Sequence, residues 1–79
     1  MAETVYERDV GRRTLKVEIE RYSNGGGVVE AFIEGPRGGR TLLSHTGTRK
    51  RATADAQWYS DIGRAIAEAR DRVWPEEGS

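Results

Sequence analysis

The chain has 79 residues, no cysteine, and thirteen basic side chains balanced by thirteen acidic ones. A chain of this length builds one domain that buries only about 60% of its unfolded surface, so the core is thin. Disulfides are excluded, the commonest structural zinc ligand is absent, and the lone histidine, His45, cannot hold a metal by itself. The neutral balance argues against indiscriminate attraction to nucleic acid or anionic membrane.

Thr4 to Val10 has the look of a short strand, and Gly11 offers a turn after it. In Arg13 to Tyr22, Leu15, Val17 and Ile19 alternate with Lys16, Glu18 and Glu20, the period of a half-buried strand. Ser23 to Gly27 is a loop rich in residues that tolerate positive φ. Val28 to Glu34 resumes the alternation, with Val29, Ala31 and Ile33 on one side and Glu30, Phe32 and Glu34 on the other. Gly35 to Gly39 turns the chain again, and Arg40 to Thr46 completes a fourth strand. Short loops between successive strands favour an antiparallel meander.

From Thr53, a predicted N-cap, to Trp74 the period becomes helical: Tyr59, Ile62, Ile66, Ala69 and Val73 recur at three- and four-residue spacing, widened by Trp58 and Ala65. Glu68 and Arg72 stand in the favourable i, i+4 order on the polar side. Gly63 lies inside this helix, where it permits close packing on the sheet, and Pro75 ends it. The expected fold is therefore a single α+β domain over 1–79. A meander of three to four strands (4–10, 13–22, 28–34, 40–46) packs against one C-terminal helix (54–74), with a flexible tail at 75–79. The expected core is Leu15, Val17, Ile19, Val29, Ala31 and Ile33, with Leu42 or Leu43 and the helical stripe.

The start of the chain lacks the basic end and apolar run of a signal peptide, and no apolar stretch nears the roughly 20 residues of a membrane span. A cytoplasmic protein without membrane partners is expected, as a monomer or as a weak homodimer paired through an exposed edge strand. No spacing points to an enzyme or to a cofactor. Gly35-Pro36-Arg37-Gly38-Gly39 lacks phosphate-loop spacing and joins two strands rather than opening a helix. His45 has no nucleophile beside it, because Ser44 points to the other face.

Two surfaces carry the functional expectations. If the apolar side of the sheet receives the helix, the other side presents Glu18, Glu20, Tyr22, Glu30, Phe32 and Glu34: acidic, with two aromatics, Phe32 acting as an exposed anchor. The second is basic: between Glu34 and Asp55 lie Arg37, Arg40, Arg49, Lys50 and Arg51 and no acid. If the turn holding Arg37 and Arg40 approaches the helix start, the five can contact phosphates.

Gly47, Lys50, Arg51 and Ala56 resemble the strand-to-helix junction of double-stranded-RNA-binding domains, which implies phosphate contact there. The order of three strands and a helix also resembles phage integrase arm-binding domains, although these would need a basic sheet face where Glu18, Glu20, Glu30 and Glu34 stand. Over its whole length the chain resembles small phage-encoded anti-CRISPR proteins in size, order of elements and acidic sheet face. That resemblance implies a non-enzymatic inhibitor, acting in the host bacterial cytoplasm. It would bind protein subunits of a type I CRISPR surveillance complex (Cascade) and occupy the surface that receives DNA. A nucleic-acid-binding module using the five basic residues is the alternative.

Overall fold

In the computed structural model, residues 2–58 and 62–75 are described, the Trp58 side chain excepted. Tyr59 and the expected tail from Glu76 onward lie outside them. Four strands, β1 (Ala2–Val10), β2 (Arg13–Arg21), β3 (Gly27–Glu34) and β4 (Arg40–Thr46), are followed by two helices, α1 (Arg49–Trp58) and α2 (Gly63–Val73). The strands form one antiparallel sheet in the order β1-β2-β3-β4, the expected meander.

Turn chemistry sets the meander. Between β1 and β2 only Gly11 and Arg12 intervene, and Gly11 has φ +66, as a two-residue hairpin with glycine first demands. The next two hairpins share one solution. In each, a type I turn is followed by a glycine at positive φ: Gly25 donates its N–H to the Tyr22 carbonyl, and Gly38 donates to Gly35. The Asn24 side chain supports the first by accepting from the Gly26 N–H at 3.0 Å.

The alternation of β2 and β3 puts Leu15, Val17, Ile19, Val29 and Ala31 in the core, joined by Ile62, Ala65, Ile66, Ala69 and Val73 of the α2 region. Ile33 packs against this cluster in part. Two bulges complete it. The β1–β2 register slips between Thr4 and Tyr6, and the β3–β4 register slips opposite Ala31 and Phe32. Each slip lets an extra residue, Val5 and Leu43, turn to the core side. Leu42 is left on the opposite face and 56% exposed, which resolves the alternative between Leu42 and Leu43.

The helical region differs from the single helix expected over 54–74. Helix α1 begins at Arg49, and its cap is Thr48 rather than Thr53: the Thr48 hydroxyl accepts the Arg51 N–H at 3.2 Å. Thr53 sits within α1, its hydroxyl donating back to the Arg49 carbonyl. Ala52, outside the expected stripe, is fully buried. Gly63 opens α2 and faces α1, not the sheet: a Cβ there would stand 2.1 Å from the Ala56 carbonyl oxygen. The break lets α2 lie over β2 and β3 while α1 lies against β4 and α2. Gly27 lets the end of α2 come close to the sheet, since a Cβ there would meet Val73 at 2.6 Å. The expected Glu68–Arg72 pair does not form; Arg72 reaches across to Glu3 at 2.9 Å, and the Arg21 side chain donates to the Arg72 carbonyl.

Candidate functional site

With both helices on one side, the other side of the sheet is open, and pairing shows what it carries. Opposed across β1 and β2 are Ala2 and Glu20, Thr4 and Glu18, Glu7 and Lys16, and Asp9 and Thr14. From β2 to β3 the outward pairs are Lys16 with Phe32, Glu18 with Glu30, and Glu20 with Val28. From β3 to β4 they are Glu30 with His45, Phe32 with Leu42, and Glu34 with Arg40. The expected residues Glu18, Glu20, Glu30, Phe32 and Glu34 therefore share one face. Glu7 and Asp9 of β1 enlarge its acidic character.

Two cations interrupt it. Lys16 lies 3.3 Å from Glu34 and 3.6 Å from Glu7, and Arg40 lies 3.2 Å from Glu34 and 3.8 Å from Glu18. The hydrogen bond from Lys16 holds the Glu34 carboxyl below its usual range against a desolvation that would raise it, with Arg40 acting the same way. Thr4 adds a hydroxyl to Glu18 at 3.2 Å. Glu18 and Glu34 are thus internally satisfied, whereas Glu20 has no ion pair among the described residues and Glu30 meets only His45, at 3.9 Å. The carboxylates still outnumber the fixed cations on this face.

Phe32 departs from expectation. It is on the open face, away from the helices, yet only 3% exposed. The Arg40 guanidinium lies over its ring, 4.3 Å from the centroid, and Lys16 and Leu42 stand opposite it on the neighbouring strands. Long charged side chains lay their apolar stems across an aromatic while their heads reach the glutamates, so the ring is covered without a helix. Phe32 as an uncovered anchor is accordingly corrected. The exposed large apolar side chains among the described residues are Leu42 on this face, Tyr22 just beyond the end of β2, 47% exposed, and Val10 at the end of β1. Leu42 was missed because the β4 bulge reverses its side. The pairing of Arg40 with Glu34 was within reach: a five-residue hairpin from Gly35 to Gly39 makes them partners.

The five basic residues do not assemble. Arg37 and Arg40 lie at the β3–β4 turn, while Arg49, Lys50 and Arg51 form the first turn of α1, at the other end of β4. The seven residues of β4, at about 3.4 Å each, hold the two groups about 20 Å apart. Arg51 is committed to Asp55 at 3.3 Å, and Arg49 lies 3.5 Å from Asp71. The likeness to double-stranded-RNA-binding domains is weakened further by β1, a strand where that family has a helix.

Asp55 explains how α1 seats on β4. One of its carboxylate oxygens accepts from both Ser44, at 2.5 Å, and Thr46, at 2.6 Å. Burial pushes its pKa up, but these hydroxyls and the Arg51 charge more than offset that, leaving it lowered. Ser44 thus faces the helices and His45 the open face, which separates hydroxyl from imidazole as the alternation implied. Among the described residues no group of three His, Cys, Asp or Glu side chains is arranged to hold a metal, and no helix is long and apolar enough to cross a membrane.

Compared with known proteins, the chain matches no family model, no curated protein and no solved structure.

Proposed function

We propose that this protein is a non-enzymatic inhibitor that docks through its open sheet face on a basic surface of a nucleoprotein complex. The supporting observation is the arrangement of that face: a four-stranded surface bearing Glu7, Asp9, Glu18, Glu20, Glu30 and Glu34 against only Lys16 and Arg40 as fixed cations. A lysine- and arginine-lined channel that receives DNA is the complementary partner. The whole-chain resemblance to anti-CRISPR proteins makes a type I surveillance complex the first candidate. Complementary charge speeds encounter and fixes orientation, and the exposed Leu42 and Tyr22 supply apolar contact.

The satisfied and unsatisfied carboxylates have different roles in this reading. Glu18 and Glu34 hold Arg40 and Lys16 in place, and Glu20 and Glu30 are available to a partner. The test is DNA binding by a purified type I complex in the presence of the chain. The wild type should block it, and Glu20→Lys with Glu30→Lys should relieve the block while the fold is retained. Inhibition that survives the double reversal, or a wild type that leaves DNA binding untouched, rejects the reading. Retention of duplex by the isolated chain at low salt would instead favour the basic residues.

A further inference from the structure

Strand β1 is nine residues long and pairs only with β2; among the described residues no strand meets its outer side. The bulge at Val5 divides its side chains unusually. Thr4 and Glu7 lie opposite the open-face residues Glu18 and Lys16, whereas Glu3, Tyr6 and Arg8 lie opposite Ile19, Val17 and Leu15 on the helix side. Without the bulge, Glu3 and Arg8 would fall on opposite faces.

We infer that two copies of the chain join antiparallel through β1, about a two-fold axis between Val5 and Tyr6, doubling the four-stranded sheet. In this register Glu3 of each copy stands opposite Arg8 of the other. Thr4 meets Glu7, Ala2 meets Asp9, and Val5 meets Tyr6. Each of these pairs joins residues of one face, as continuous pairing requires. Two-fold symmetry makes the Glu3–Arg8 contact twice.

The neighbouring registers are penalised. A slip of one residue either way sets Glu3 against Glu7 or against Asp9, like charge opposite like, and joins the helix side of one copy to the open side of the other. Arg8 is exposed and has no ion pair among the described residues, and Glu3 has only its exposed contact with Arg72. Val5 and Tyr6 are half-buried at the margin of the core, and pairing would extend that apolar strip across the dyad. A small chain without disulfides gains most from such burial. The open face, with Glu20 and Glu30, stays free, so this pairing stands independently of the docking reading.

The experiment is analytical ultracentrifugation of the full chain over a concentration series, with Glu3→Arg and Arg8→Glu alone and mixed in equal amounts, folding being checked by circular dichroism. The wild type should dimerise, each variant alone should dissociate at least about ten-fold more readily, and the mixture should regain wild-type association, because both contacts become complementary again. Because the chain has no cysteine, Thr4→Cys mixed with Glu7→Cys should also yield a disulfide between unlike copies. A monomeric wild type at millimolar concentration, a dimer that both charge variants retain, a mixture that does not recover, or cysteine variants that cross-link no better mixed than alone overturns the inference.

Discussion

The guanidinium of Arg40 rests 4.3 Å above the centre of the Phe32 ring, on the sheet face away from α1 and α2. The arginine is held there by Glu34 at 3.2 Å and Glu18 at 3.8 Å, so one cation both partners the glutamates and roofs the aromatic. A surface that alternation alone would describe as acid around a bare ring is instead an ionic lattice with a buried ring beneath it.

Arg40→Ala should therefore cost about 1 kcal/mol in denaturant unfolding, from lost cation–π contact and exposure of the ring. Phe32→Ala should cost more, about 3 kcal/mol, since it removes a side chain only 3% exposed. The loss from Arg40→Ala should shrink in high salt, because Arg40 is half-exposed and its pairs are screened. Equal costs for the two variants would contradict this geometry.

Asp55 should make stability pH-dependent. Its carboxyl is lowered in the folded chain, so the contribution is present in full above the ordinary carboxylate range, about 4, and is lost as pH falls through the depressed folded value. Asp55→Ala leaves the hydroxyls of Ser44 and of Thr46, which is 2% exposed, without their acceptor, at a cost of about 1–3 kcal/mol at neutral pH. The difference between wild type and variant should narrow in acid. A difference that stays constant down to pH values of about 2 would show that the carboxylate charge is not what holds α1 to β4.

Gly63→Ala should destabilise by about 2–3 kcal/mol despite alanine's better helix propensity, because the added methyl meets the Ala56 carbonyl oxygen. Gly39→Ala is the control. Its Cβ would meet nothing within 4 Å, and the change should stay within about 0.5 kcal/mol. Thermal unfolding of the two variants side by side decides the matter.

Lys50→Glu should raise stability by about 0.3–1 kcal/mol. The first turn of α1 carries Arg49, Lys50 and Arg51 and no acid, the charge least suited to a helix N-terminus. Lys50 is exposed and has no ion pair among the described residues, so nothing in the fold compensates for it. If unfolding midpoints show a loss instead, Lys50 has a structural partner that its exposed position does not reveal.

Much of the fold was legible because its signals are local. Glycine at positive φ, two-residue alternation in β2 and β3, and a change to helical spacing each depend on residues a few positions apart. The strand order followed from short loops, and the core residues of β2 and β3 stand where the alternation placed them. The helix break was not legible. An apolar stripe continues through Ile62, Gly63 and Ala65, whereas the close approach of Gly63 to the Ala56 carbonyl depends on how α2 packs on α1.

The amino-acid order by itself determined the meander, the side of the sheet that meets the helices, and the glutamates gathered on the other side, because pleat and turn geometry act over neighbouring residues. Only the tertiary structure decided that Phe32 is roofed by Arg40 and that Leu43 rather than Leu42 enters the core. These outcomes depend on bulges and on long side chains reaching across strands. Both are set by which backbone groups find partners once the sheet has formed, and no periodicity along the chain encodes them.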